Sequence, residues 1–375
     1  MSDTGGRRNN RNHRGWRWLG VFWLAALALM GIGSGVVEWL GPPGGSSKPE
    51  ARTMPEAAKA QVALVPAGDL QAAIVPARPR IAEPVVVGRD TPGPVADPDP
   101  ALLEPGGDGS KENLPRIASD GRTAMRVYAA GFDLSSRRPR VSVLLAGIGM
   151  NEAESDAAIR SLPGAVSLAV SPYAANPAKL LATARATGHE YLIAIPLEPA
   201  GFPLNDPGPA TLLTSASMSA NALNLRWVLS RVDGYVGATG IIGTMRGERL
   251  AAMTDQMDAV LSEFSARGLL YIDPREGKGP VAKTRGRHVD LVIDDPSDQG
   301  TADRAMIDSK LAALEQQAKD SGSALGLVMR PTPVAVARIA AWSIGLTDRG
   351  LALAPVSAVA LPPSDVPVKL SERAR

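Results

Sequence analysis

Between residues 140 and 362 apolar residues recur in two alternating periods. Short apolar runs at 141–149, 165–173, 191–199, 234–244, 269–273, 289–294, 323–330 and 351–357 predict strands. Between them the spacing turns helical. Leu223, Trp227 and Val228 mark a helix over 219–231, and Ile307, Leu311, Leu314 and Ala318 point inward from one over 305–319. Leu250, Met253, Met257, Leu261 and Phe264 line one face of another, and a last helix is expected over 334–346. Punctuation agrees with this phasing. Asn151 with Glu154 is a capping-box-like start, Asn176-Pro177 opens the next helix, and Gly188 and Gly268 stop helices. Seven or eight strand–helix units imply a parallel sheet covered by helices, and about 220 residues suit one α/β barrel. In a barrel, chemistry collects at the C-terminal ends of the strands.

The first 40 residues follow another pattern. Arg7, Arg8, Arg11, Arg14 and Arg17 precede an uncharged stretch over 18–37. Twenty helical residues span about 30 Å, the thickness of a bilayer's hydrocarbon core. Trp16, Trp18 and Trp23 lie at one end and Trp39 at the other, as interfacial aromatics do. A cleaved signal peptide would have a shorter apolar core and a small-residue site, and VVEWLGPP is no clear site. We therefore expect a cytoplasmic basic tail (1–17) and a single-pass anchor in a bacterial inner membrane (18–40), with the C-terminal side in the periplasm. Residues 41–127 contain no Phe, Trp or Tyr, and residues 41–120 hold 14 of the 32 prolines. That composition cannot bury enough apolar surface to offset its ordering entropy. It predicts a disordered Pro-rich linker over 41–136, of which 115–133 packs on the domain as a lead-in. The folded domain is set at 137–362 and a C-terminal tail at 363–375.

Composition removes several chemistries. Lys+Arg 40 against Asp+Glu 38 gives a net charge of +2, without the basic excess of a nucleic-acid binder, so no nucleic-acid partner is expected. With no cysteine there is no disulfide, thiolate metal site or cysteine nucleophile. Only His13, His189 and His288 are available as imidazole ligands. GIGMNE and GATGIIGT fit neither the dinucleotide fingerprint nor a Walker motif, so no cofactor is expected.

The ordered series LLAGIG, SLPGAVSLAVSPYA, GHEYLIAIPLEPAGFPLNDPGPATLLT, RVDGYVGATGIIGT, RGLLYIDPRE, LVIDD and GSALGLVMRP resembles the divergent polysaccharide deacetylase family, relatives of the NodB-like carbohydrate esterases. The resemblance spans residues 139 to about 360, and residues 196–214 are its most specific stretch. It implies a distorted (β/α) barrel. Where such proteins are active, a divalent metal polarises an N-acetyl carbonyl and activates water, a carboxylate takes a proton and a histidine protonates the amine. At the positions where it implies Asp-Asp, this chain has Ala146 and Gly147. Where it implies His it has Ala194. Where it implies Asn-Asn-His it has Thr239, Gly240 and Ile241, and where it implies Gly-His-Pro it has Val328, Met329 and Arg330. Glu198, Asp206, Asp273 and Asp294 remain at the family's acidic positions, and Arg275 matches as well.

These substitutions imply no metal at the site, since a catalytic zinc takes about three protein ligands. His189 and His288 are placed at the far end of the strands, as surface or capping residues. Asp273 and Asp294 are expected to cap turns and pair with Arg275 or Arg330, the other reading being an acid–base pair facing one cleft. For Glu198 a sugar hydroxyl and the backbone N–H groups of the 204–209 loop are equal candidates. Three functions stay open: a pseudoenzyme binding a cell-envelope glycan or an envelope protein, a metal-independent carbohydrate hydrolase using the remaining carboxylates, and a structural tether. Retained carboxylates in an open cleft would favour the first two, and a cleft filled by Ile241, Met329 and Arg330 the third.

Overall fold

The computed structural model of the protein describes residues 90–106, 112–294 and 303–364. The tail expected over 1–17, the anchor over 18–40 and the linker up to residue 89 lie outside the described residues, as does most of the tail over 363–375. Among the described residues no helix is long and apolar enough to cross a membrane.

The barrel is built from β3 (Arg140–Ile148), β4 (Ser167–Val170), β5 (Tyr191–Ala194), β6 (Gly237–Thr239), β7 (Leu270–Glu276), β8 (Gly286–Val289), β9 (Leu291–Val292) and β10 (Ser323–Val328). They hydrogen-bond in the order β8-β7-β6-β5-β4-β3-β10-β9, and every pairing is parallel. A short β11 (Ala352–Leu353) lies beside the start of β3. The strand expected over 289–294 is divided. β8 and β9 are one run broken at Asp290, whose first half pairs with β7 and second half with β10, and this nearly closes the sheet. The carboxylate of Asp290, its side chain only 4% exposed, holds the break, accepting from Arg287 Nη2 at 2.5 Å and Leu325 N at 2.7 Å. Strands buried on both faces explain the near-continuous apolar runs, such as Val141 and Val143 to Ala146.

Helices follow the strands where the sequence offers an apolar face. They are α2 (Glu152–Ser161), α3 (Pro177–Ala186), α4 (Met218–Leu229), α5 (Glu248–Ala251), α6 (Thr254–Ala266), α7 (Arg304–Ser321) and α8 (Pro333–Ile344), and a one-turn α1 (Ala124–Val127) precedes them. Asn151 Oδ1 caps α2 through Glu154 N at 3.1 Å, and Ser217 and Thr332 cap α4 and α8 in the same way. Ile307, Leu311, Leu314 and Ala318 of α7 are buried as expected. The face drawn from Leu250 to Phe264 instead divides into α5 and α6, leaving Met253 exposed at the junction. No helix joins β7 to β8, because residues 277–285 (GKGPVAKTR) supply two glycines, a proline and three cations but no apolar stripe.

The disorder expected up to residue 136 is corrected for residues 90–106 and 112–136. They form a strap across the N-terminal end of the barrel. A 3₁₀ turn (Pro100–Leu102) leads into the antiparallel hairpin of β1 (Leu103–Pro105) and β2 (Asn113–Pro115), and then α1 follows. Val95, Leu102, Leu114, Ala118 and Tyr128 are buried in the barrel's core cluster. Val95 N donates to Arg185 O at 2.9 Å, and Arg267 reaches Glu104 and Pro115 O, both at 2.8 Å. The lead-in role expected of 115–133 agrees with this packing. Polar, aromatic-free composition did not reveal the rest, since its order comes from apolar surface supplied by the barrel.

Candidate functional site

Two loops build the C-terminal face, residues 195–217 after β5 and 240–247 after β6. Glu198 fastens the first. Its carboxylate accepts from Thr214 N at 2.6 Å and Thr214 Oγ1 at 2.7 Å and pairs with Arg249 Nη1 at 2.9 Å. Its carbonyl accepts from the amides of Arg249 and Leu250, which seats α5. Glu198 is buried, so of its two expected roles the structure supplies the one with backbone N–H partners, the donor being Thr214 rather than the 204–209 loop.

Asp273 and Asp294 are likewise buried and engaged. Asp273 accepts Arg275 N and Nε, each at 3.0 Å, and Arg275 Nη2 at 2.6 Å. Asp294 Oδ1 accepts Met329 N at 2.7 Å and Oδ2 accepts Arg330 N at 3.1 Å, so the partner expected in the Arg330 side chain is its backbone amide. Burial pushes the Asp294 carboxyl above the ordinary aspartate value, against the pull of those two amides. Asp294 therefore ties the end of β9 to the end of β10, while Asp273 holds Arg275 two residues on in β7.

The histidines depart from expectation. His288 lies in β8 directly opposite Asp273, its Nδ1 3.5 Å from Asp273 Oδ2, rather than at the far end of the strands. The broken strand moves it, because β8 begins three residues before the run expected at 289. His189 is at the far end, yet it is fully buried and not a surface residue. Its Nδ1 lies 2.7 Å from Val166 O and its Nε2 3.0 Å from Ile159 O.

Asp206 is exposed, with Oδ1 taken up by Gly208 N at 2.9 Å in an Asx turn. Asp206 lines an open cavity. That cavity measures about 490 Å³ and lies between the two loops, bounded by Pro199, Ala200, Leu204, Asn205, Asp206, Thr244, Met245 and Glu248. Sequence reasoning missed Thr244 and Glu248. The signal was available, since both follow a barrel strand, Glu248 in the first turn of α5 directly after the left-handed Gly247 (φ 65°). The centre of the mouth is filled as the third functional reading required in part: Ile241 and Met329 are buried, while Arg330 is exposed. The opening that remains is displaced towards the β5 and β6 loops.

The residues present do not fit the divalent metal that the family resemblance implies. Ala146, Ala194, Ile241 and Met329 are buried without an oxygen or nitrogen ligand, and thioether sulfur does not suit a hard, water-activating ion. Gly147 has φ 77°, and a Cβ there would lie 3.1 Å from Pro331 Cδ and 3.3 Å from Met329 O. A Cβ on Gly240 would lie 2.7 Å from Leu197 Cδ1 and 2.8 Å from the buried Tyr271 hydroxyl. Neighbouring side chains thus crowd both of these family positions, most tightly at Gly240. Among the described residues no three His, Asp or Glu side chains are grouped to hold a metal ion.

A model of the divergent polysaccharide deacetylases matches residues 143–360. Among solved structures, the uncharacterized protein ATU2773 from Agrobacterium tumefaciens C58 superposes with a TM-score of 0.58 at 29% identity, covering 66% of this chain and 99% of that one. A provisionally assigned polysaccharide deacetylase from Mycobacterium smegmatis gives a TM-score of 0.42 at 13% identity over 62% of this chain and 95% of its own. No curated protein matches.

Proposed function

Because the chain belongs to the divergent polysaccharide deacetylase family, we propose that its barrel is a glycan-binding domain of a bacterial cell envelope, anchored by residues 18–40, that holds its glycan without deacetylating it. The observation that carries this reading is the contrast between the two parts of the C-terminal face. The family's ligand positions are apolar, buried or glycine, whereas the loop cavity beside them is open and lined with amide, hydroxyl and carboxylate groups. A surface of this kind hydrogen-bonds sugar hydroxyls without needing a Lewis acid.

The test is metal analysis, deacetylase assay and oligosaccharide titration on the same purified full-length sample. Saturable binding at one site per chain, with no bound metal and no acetate released on adding zinc, is the expected result. Stoichiometric zinc, removable by chelator with loss of acetate release, would return the protein to the working enzymes. Absence of any glycan binding would remove the reading.

A second reading, metal-independent hydrolysis, is favoured by one observation: the carboxylates of Asp206 and Glu248 line the same cavity. Turnover of an oligosaccharide abolished by Asp206→Asn and by Glu248→Gln would select it.

A further inference from the structure

We propose that α4 is the contact face of a two-fold dimer, in which α4 of each copy lies in the groove between α4 and α6 of the other. The composition of its exposed face sets this helix apart. α2 exposes Glu152, Glu154 and Arg160 to solvent within ten residues. Over twelve residues α4 exposes one charge, Arg226, beside Met218 (51% exposed), Ala222, Leu223 (69%) and Trp227 (36%). Next to this ridge the surface is concave. A groove of about 230 Å³ runs between α4 and α6, with Leu225, Leu250 and Val260 buried along its floor and the small Ala222 and Ala259 exposed at its lips. A ridge and a groove side by side on one face fit a second copy of that face.

Charge fixes the arrangement. Arg226 and Glu263 both line the groove. Arg226 Nη2 donates to Gly106 O at 2.9 Å, and Glu263 Oε1 accepts Arg267 Nε at 2.6 Å. Arg226 Nη1 and Glu263 Oε2 are left without a partner among the described residues. A two-fold axis parallel to α4 keeps each residue at its own level along the helix. The second copy's Arg226 then arrives at Glu263, and its Leu223 at Ala259 and Val260, so two ion pairs flank an apolar centre. An antiparallel pair would bring Arg226 to the uncharged end at Met218 and Gln256 instead. The strap lies at the C-terminal end of α4, where Ser230 Oγ donates to Glu112 Oε2 at 2.9 Å. The parallel axis therefore puts both straps on one side, as two chains anchored by residues 18–40 in one membrane require. α4 is about 18 Å long and, with α6, about 20 Å wide, so each copy contributes roughly 400 Å² against the about 800 Å² of a standard interface. Association is weak in dilute solution and depends on anchors that hold the copies at one surface.

The chain has no cysteine, so a thiol introduced at Ala222, beside the axis, is unique. The test treats intact cells carrying full-length Ala222→Cys with a short, membrane-permeant bismaleimide, which reaches the barrel on either side of the membrane. We expect a linked product of twice the chain mass. Ala157→Cys, at an exposed position of α2, is the control and should link about tenfold less. Leu223→Asp alters an exposed side chain and, added to Ala222→Cys, should cut the linked fraction about tenfold at unchanged circular dichroism, because it buries a carboxylate against Val260 of the second copy. Arg226→Glu sets two carboxylates together and should act in the same direction. Linking of Ala222→Cys no greater than that of Ala157→Cys overturns the proposal, and so does linking that survives Leu223→Asp. Insensitivity to Arg226→Glu overturns the parallel register. A product joining Ala222→Cys to a different protein, in place of itself, overturns the dimer and gives the face to that protein. The readout involves no glycan, so failure of the dimer and failure of the glycan reading are separate results.

Discussion

At the start of β5 the Glu190 carboxylate accepts four hydrogen bonds. Ser167 Oγ at 2.8 Å and Ser357 N at 2.9 Å reach Oε1, while Ala130 N at 2.9 Å and Ser357 Oγ at 2.6 Å reach Oε2. One buried side chain thus joins the strap, β4 and the chain after β11. Glu190→Ala leaves those donors buried and unpaired, and should destabilise the domain by roughly 3–5 kcal/mol. Glu190→Gln should cost less, because the Ser357 hydroxyl can turn to accept. Urea unfolding at unchanged m reads both, and a loss below about 1 kcal/mol for the alanine variant would contradict the role. Asp294 makes a prediction of opposite character. Its folded pKa is raised by burial, so its protonated form is favoured in the native state. The stability this supplies is fully present below the ordinary aspartate value of about 3.9 and is lost as pH rises through the raised value. Asp290 is pushed the same way by burial, so both shape the slope. Asp294→Asn should flatten the fall of stability across mildly acidic pH; an unchanged slope would show that Asp294 does not titrate there.

The strap is the element that composition hid. Its prolines sit where the fold tolerates them: Pro100 opens the 3₁₀ turn, and Pro105 and Pro115 lie in a two-stranded hairpin with edges on both sides. Barrel strands were legible because burial on both faces leaves long apolar runs, and helices because of caps such as Asn151 and stops such as Gly268 (φ 69°). The break at Asp290 was not legible, since it depends on Arg287 and Leu325 N meeting one carboxylate across the closing seam. For the site, the loss of the family's ligands could be read from residue identity. The displaced cavity could not, because it arises where two loops far apart in sequence approach each other. The strap's packing gives a prediction at this scale. Leu102 is fully buried, so Leu102→Ala should cost about 2–5 kcal/mol. A chain begun at residue 137 exposes the surface under Leu102, Leu114 and Tyr128, and should melt below one begun at residue 90, with greater aggregation. Equal melting temperatures for the two would show that the strap docks without supporting the barrel.

On the scale of the whole chain, the net charge of +2 says little about orientation, whereas the position of the charges says a good deal. Arg7, Arg8, Arg11, Arg14 and Arg17 all precede the apolar stretch at 18–37, and the next basic residue after Arg17 is Lys48. Cytoplasmic flanks of membrane helices carry the excess of Lys and Arg, and moving five arginines across the bilayer opposes the membrane potential at about 2.3 kcal/mol per charge per 100 mV. The head should therefore stay inside and the barrel be delivered outside, where an envelope glycan can reach the loop cavity. The absence of cysteine makes this directly measurable, since any introduced thiol is unique. Leu204→Cys places one at the lip of the cavity, at a residue 95% exposed, and Asn9→Cys places one in the basic head. In intact spheroplasts a membrane-impermeant maleimide should label the chain carrying Leu204→Cys. The chain carrying Asn9→Cys should stay unlabelled until the membrane is permeabilised. The reverse pattern would put the barrel in the cytoplasm, and an envelope glycan could then not be its ligand.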